Sequence, residues 1–361
     1  MLDVFKNWYQ RNFSDPQAVI LAVILIVGLL IVIYLGQMLA PILTAVVLAY
    51  MLEAVVALLE RHNVPRFFAV IIVFLLFLLT VLLLILLIVP VLSQQFTQLI
   101  TELPKQMDKG QQVLMRLPEM YPQAFTETQV NEIMSEIRKQ ITGFGQAFLS
   151  FSLASIPVLF ALVVYLILVP LLMFFFLKDK ALIVNWLKKY LPKERGLAAQ
   201  VWHEMDQQIG NYVRGKFVEI FIVGGVTYVT FLIMGLNYAL LLSVLVGLSV
   251  IIPYIGAAAV TIPVALIAYF QWGWGPDFIW LLVAYGIIQA LDGNLLVPVL
   301  FSEAVNLHPV AIIVAVLVFG GLWGLWGVFF AIPLATLVMA VLNAWPSLQP
   351  PGKADTASEA S

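Results

Sequence analysis

Ile252-Pro253-Tyr254-Ile255-Gly256 interrupts one apolar stretch, and about 70 residues later Gly320-Gly321-Leu322-Trp323-Gly324-Leu325-Trp326-Gly327 interrupts another. The flanks match as well. Leu236-Asn237-Tyr238 precedes the first break and Thr261-Ile262-Pro263-Val264-Ala265 follows it; Leu307-His308-Pro309 and Ala331-Ile332-Pro333-Leu334-Ala335 bracket the second. An offset shared by every landmark is poorly explained by chance. Each unit therefore reads as one full helix followed by about 36 apolar residues broken midway by Pro or Gly. At about 1.5 Å per residue, arms of about 11 to 17 residues reach roughly 17 to 25 Å. A hydrocarbon core of about 30 Å needs about 20 residues, so most arms are too short to cross. Two re-entrant helical hairpins are the favoured reading and two broken full spans the alternative. As hairpins, the first unit (217–275) enters from inside and the second (276–345) from outside, which makes an inverted repeat.

Composition sets the class. Hydrophobic residues make up 63% of the 361, charged residues 11%, and mean hydropathy is +1.03, against about 25% charged in soluble domains. An all-α polytopic membrane protein of about eight membrane segments is expected, because lone strands in lipid would leave backbone groups unsatisfied. The chain has no cysteine, which excludes disulfides, thiolate metal sites and cysteine catalysis. His62, His203 and His308 are scattered, so no metal is expected. No metalloprotease motif, nucleophile elbow or dinucleotide fingerprint occurs, so neither enzyme activity nor a cofactor is expected, and nothing points to nucleic acid. Gly210 to Lys216 fits G-x4-G-K, but Phe217 stands where a phosphate loop carries Ser or Thr, and no strand precedes it. That stretch reads as a helix start at the membrane surface, with Arg214 and Lys216 near lipid headgroups.

Along the chain, residues 1–15 form an amphipathic interfacial helix with Leu2, Phe5, Tyr9 and Phe13 on one face. Residues 16–92 hold three spans, about Gln17–Met38, Pro41–Glu60 and Phe67–Pro90, and the first is a retained helix and not a signal peptide. Glu53 in the second reads as an interface residue paired with Arg61 or water. Residues 93–146 turn polar and read as a small helical domain outside the membrane, with Thr126 and Gln129 as a capping box. A fourth span (147–177) leads into a basic segment (178–216). Positive charge concentrates on the cytoplasmic side, so this segment lies inside, the N-terminus lies inside, and the 93–146 domain lies outside. The tail 346–361 is a disordered cytoplasmic end.

Asp292 lies in the full helix of the second unit, within Gln289-Ala290-Leu291-Asp292-Gly293-Asn294. An ionised carboxylate at mid-membrane costs roughly 2.5 to 3.5 kcal/mol on insertion scales, and such residues usually face a bundle interior. No Lys or Arg occurs between Lys216 and Lys353. Asp292 therefore pairs with a base from elsewhere, Arg214 being the candidate, or takes a proton or cation. Gln289 and Asn294 lie within a turn and a half of it and extend the polar cluster. Paired Gly/Pro-interrupted segments are the sequence pointer to a midplane transport site. The candidate tip residues are Pro253, Tyr254 and Gly256 in one unit and Gly321, Gly324 and Gly327 in the other. Close helix packing by the glycines and interfacial anchoring by Trp323 and Trp326 are the structural alternatives.

These stretches, together with Tyr212-Val213-Arg214-Gly215 and the run from Gln289 to Pro298, resemble the AI-2E family of bacterial transporters over about residues 17 to 345. Family members commonly carry Glu where Asp292 stands. The resemblance implies about eight membrane segments and, for some members, homopentamers similar to elevator transporters. It also implies autoinducer-2 export or sodium/proton antiport. The expectation is a secondary transporter in the bacterial inner membrane, both termini cytoplasmic, moving a small polar solute such as autoinducer-2 outward and coupled to protons. Membrane lipids are its surroundings, and a homo-oligomer is its expected state. A sodium/proton antiporter using the same cluster is the alternative, and a membrane scaffold the third reading.

Overall fold

A computed structural model describes residues 16–114, 156–190, 196–301 and 307–344, with isolated positions between 128 and 143, and all regular structure among them is helical. The expected surface helix 1–15, the capping box at Thr126 and Gln129, most of the 93–146 domain beyond residue 114, and the tail 346–361 lie outside the described residues.

Helix α1 runs unbroken from Pro16 to Arg61, 46 residues with Pro41 inside. Two helices divided at Pro41 were expected. Proline removes one ladder bond, but leaving the helix in an apolar setting would strand several more backbone groups. Helix α2 (Arg66–Leu83) passes through a π turn, Leu84–Ile88, into α3 (Val89–Leu114). The π turn lies just before Pro90, whose ring cannot sit over the carbonyl four residues back. The helix thus continues past the expected end at Pro90 into the polar 93–114 stretch. Ala45, Val56, Ala69, Val73 and Met173 form the core that joins α1 and α2 to α4 (Ile156–Lys178). Arg66 closes it, bonding Glu53 at 3.1 Å, Glu60 at 3.2 Å and the Leu177 carbonyl at 2.7 Å. Glu53 is thus held by Arg66 and not by Arg61.

At Asp179 the chain bends by 81° into α5 (Lys180–Tyr190). Helix α6 then runs 38 residues from Gly196 to Ile233. The basic segment 178–216 is therefore largely helical, and Gly210–Phe217 lies inside α6 instead of starting a helix.

Both broken segments fold back on themselves. In the first, α7 (Ala239–Ser249) and α8 (Ile255–Trp272) pair antiparallel. Leu242 and Val246 pack with Val264 and Ala268 near the turn and mid-arm, and Gln271 ties the open end by bonding the Asn237 amide at 2.7 Å and the Gly235 carbonyl at 2.8 Å. Gly256 makes the turn possible, since a Cβ there would fall on the Ser249 carbonyl oxygen. The second hairpin comprises α11 (Pro309–Phe329) and α12 (Ala331–Ala344) and turns at Gly324 (φ 61°). A Cβ on Gly327 would fall on the Phe319 carbonyl oxygen, and Val316 packs with Ala331. The repeat extends to the backbone: Tyr254, with φ 62°, stands about 70 residues before Gly324.

Between the hairpins run α9 (Pro276–Leu291), a π turn (Asp292–Leu296) and α10 (Val297–Phe301). The hairpins approach α6 from opposite ends. The open end of the first lies beside α3, where Gln95 Oε1 accepts from the Leu241 amide at 2.9 Å and the Tyr238 hydroxyl donates to Glu102 at 2.6 Å. Burial, then the bond and charge of Glu102, push the Tyr238 hydroxyl up to about 12, so it stays a donor at neutral pH. The second hairpin's Leu337 and Val341, in the arm leading to its open end, pack with Val201 and Met205 near the start of α6 and with Leu21 of α1. Ile252, in the first turn, packs against Ala315, Val316 and Ala331 of the second hairpin. Among the described residues, six helical stretches are long and apolar enough to cross a membrane, or seven if the bent α4–α5 pair is one span. The expected eight are not reached there.

Candidate functional site

Asp292 opens the π turn. Pro298 lies just past it and lacks the N–H an α ladder would use, and Val297 N–H donates to the Asp292 carbonyl five residues back. Asn294 Nδ2 donates to the Ala290 carbonyl at 2.8 Å, patching the loosened ladder. π turns inside α-helices recur at functional sites. Gln289 and Asp292 are three apart and share a helical face. Gln289 Nε2 and Asp292 Oδ1 are both buried and have no hydrogen-bond partner among the described residues. Asn294 is exposed and bonded to its own helix, so it does not extend that pair.

The base that the fold brings toward Asp292 is Lys216: α6 packs against the π turn that Asp292 opens, and Lys216 lies over Phe301 of the following α10. Lys216 Nζ donates to Glu219 Oε2 at 2.7 Å and to the Val250 carbonyl at 2.7 Å, and lies 5.3 Å from the centre of the Phe301 ring. Lys216 is 4% exposed and Glu219 2%. Val250 ends α7, so Lys216 satisfies a helix-terminal carbonyl at the negative end of a helix dipole. Arg214, the expected partner of Asp292, instead donates to Asn211 Oδ1 at 2.8 Å. Two carboxylates and one ammonium leave the cluster with a formal charge of −1.

One turn before Lys216, Tyr212 serves the other hairpin. Its hydroxyl donates to the Phe329 carbonyl at 2.8 Å, at the joint of α11 and α12, and its ring lies 5.7 Å from that of Phe301. Residues four apart on a helix share a face. One face of α6 thus holds a backbone carbonyl from each hairpin. Trp326 and Phe330 stack at 6.1 Å, and both pack in the apolar cluster of Tyr212 and Phe301. Trp323 stacks on Phe330 at 6.3 Å.

The candidate residues divide accordingly. Gln289 and Asp292 stand together, and Val250, three residues before Pro253, ties the first turn to them through Lys216. Gly256 and Gly327 shape the two turns, and Gly324 supplies the left-handed residue of the second. Tyr254 is 56% exposed, and a Cβ at Gly321 would meet nothing within 4 Å. Among the described residues no hydrogen bond joins Pro253, Tyr254 or Gly321 to Asp292. The sequence reading missed Tyr212, Lys216 and Glu219. The available signal was the Lys216–Glu219 pair, opposite charges three apart at the entry to a long uncharged run.

Residues 20–347 match the family model described as AI-2E family transporter. The chain belongs to the AI-2E transporter family. The match runs from within α1 to past the end of α12 and covers both hairpins and the cluster between them. Within this family the chain is similar to "Putative permease PerM" of Escherichia coli (strain K12), 50% identical over 349 residues, 97% of this chain and 99% of that protein. It is also similar to "Putative transport protein YueF" of Bacillus subtilis (strain 168), 26% identical over 315 residues, 86% and 84% of the two chains. "Putative transport protein YrrI" of the same organism is 25% identical over 303 residues, 84% of each. The AI-2E assignment and the apolar helices together make this a multi-pass membrane protein of a transporter family.

Proposed function

We propose that this AI-2E protein is a secondary transporter that moves a small polar solute, such as autoinducer-2, across the bacterial cytoplasmic membrane, coupled to protons. The observation that carries the reading is the buried donor and acceptor of Gln289 and Asp292, unpartnered among the described residues, on a helix that packs against α6, which holds both hairpin turns. A buried donor–acceptor pair matches a solute bearing hydroxyl or carbonyl groups. The charge of −1 supplies the coupling: one proton on Asp292 would neutralise a cluster that is costly to carry through an apolar barrier. The two hairpins would enter the membrane from opposite faces without crossing it, and their turns would part and close over the solute. An elevator-like movement fits this arrangement, because Lys216 and Tyr212 hold the turns through single bonds to backbone carbonyls. The lysines of 178–216 assign that segment and the C-terminus to the cytoplasm, whereas the unbroken α1 gives one crossing where two were expected and so no longer places the N-terminus on that side; the working assembly is a homo-oligomer, a pentamer by family likeness.

The test is transport by purified protein in proteoliposomes. Wild-type protein is expected to take up a polar solute from an autoinducer-2-containing panel in response to an imposed pH gradient. Asp292→Asn is expected to lose at least tenfold of that coupled rate. Full proton-coupled transport by Asp292→Asn would sink the coupling role. Cation-dependent pH change in vesicles without any solute would instead favour sodium/proton antiport at the same cluster.

A further inference from the structure

Thr227 on α6 is fully buried, and its hydroxyl has no hydrogen-bond partner among the described residues. Other helical threonines of the chain behave differently. Thr44, Thr80, Thr230 and Thr261 each return the hydroxyl to the carbonyl four residues back, at 2.7 to 2.9 Å, the usual recourse of a threonine inside a helix. Even Thr230, three residues along the same helix, does so. A buried hydroxyl left without a bond is costly, and in a native fold it calls for a reason.

Two contacts fix what Thr227 stands opposite. The rings of Phe231 on α6 and Tyr285 on α9 have centres 6.1 Å apart, and Lys216 on α6 lies 5.3 Å from the Phe301 ring of α10. The two helical runs are therefore antiparallel, with Phe231 to Lys216 in register with Tyr285 to Phe301. One turn in from the Phe231–Tyr285 contact come Thr227 on α6 and Gln289 on α9, and within a further turn Val223 and Asp292. The face agrees with the level, because Val223 and Phe231, one turn either side of Thr227, share a core with Leu281 and Tyr285 of α9. The α6 backbone is also fixed there. Three residues before Thr227, Gly224 meets α7 so closely that a Cβ on Gly247 would lie 3.1 Å from the Gly224 Cα.

Thr227 Oγ1, Gln289 Nε2 and Asp292 Oδ1 are thus three buried polar atoms on two facing helices, each without a partner among the described residues. They do not bond one another, so each keeps its hydrogen-bonding capacity for a bound molecule. We infer that Thr227 is a specificity-determining residue of the transport site, its hydroxyl pairing with a hydroxyl or carbonyl group of the solute that Gln289 and Asp292 hold. A hydroxyl both donates and accepts, so it adds to the donor of Gln289 and the acceptor of Asp292 and selects a hydroxyl-bearing solute over one of equal size without such groups. The inference rests on the solute reading above and extends that site from α9 onto α6.

Two measurements on the full chain test it. In detergent without solute, Thr227→Val removes an unpaired hydroxyl and is expected to keep or raise the thermal midpoint. A midpoint lowered by several degrees would mean that the hydroxyl is bonded within the protein, and overturns the inference whatever the protein transports. In proteoliposomes with autoinducer-2 as the probe, Thr227→Val is expected to raise KM about tenfold with little change in kcat, and Thr227→Ser, which keeps the hydroxyl, to recover most of that affinity. Wild-type KM in Thr227→Val overturns this inference alone and leaves the solute reading standing, whereas wild-type protein that moves no autoinducer-2 fails both together.

Discussion

Lys216 ties the first hairpin turn to α6, since its ammonium bonds both Glu219 and the Val250 carbonyl. Removing one member of a buried ion pair costs about 3 to 5 kcal/mol, because the remaining charge is left unmatched. Lys216→Met should therefore lower the thermal midpoint of the detergent-solubilised protein by several degrees and release the first hairpin turn. Lys216→Met/Glu219→Leu should regain much of that loss, because replacing both charges removes the unmatched one. A single variant melting with the wild type would mean that the bond is not formed. Asp292 was legible in the sequence because it is the lone acid in the interior of an apolar helix, Asp277 lying in the first turn. Lys216 was not, because it closes a run of surface lysines, and only the path of α6 through the bundle decides that it turns inward.

At the scale of elements, the two hairpins use one device. Gly256 and Gly327 each sit where a Cβ would overlap a carbonyl of the opposing arm, and overpacking of this kind costs roughly 1 to 3 kcal/mol. Gly256→Ala and Gly327→Ala should each lower the thermal midpoint and slow transport, to similar extents, whereas Gly321→Ala, with open space around it, should resemble wild type. Equal tolerance of all three would mean that the turns are looser than their geometry. The repeat was readable because Gly and Pro are needed at tight turns wherever the turns lie. The same punctuation misled at Pro41 and Pro90, where the helix absorbs proline as a lost bond or a π turn. Local propensity marks a weak point in a helix, but the surrounding solvent decides whether the chain turns there.

Across the whole molecule, the hairpins lie head to head along α6, the open end of one beside α3 and the arm leading to the open end of the other packed on the start of α6. This arrangement fixes a topology that labelling can test. Trp274 joins α8 to α9 beyond the open end of the first hairpin and is 80% exposed. Gln98 lies on the polar extension of α3, which bonds that same end through Gln95 and Glu102. Lys189 lies on α5, at the far end of the bundle by the positive-inside argument. Because the native chain has no cysteine, single cysteines at these three positions can be read without background. If the first segment is a re-entrant hairpin, Trp274→Cys and Gln98→Cys should react with an impermeant maleimide from outside the cell, and Lys189→Cys only after the membrane is opened. If the segment instead crosses as one broken span, Trp274→Cys joins Lys189→Cys on the inside. That result would also overturn the inverted pairing of the two units, since α9 would then start from the same side as α6 and both broken segments would cross in the same direction.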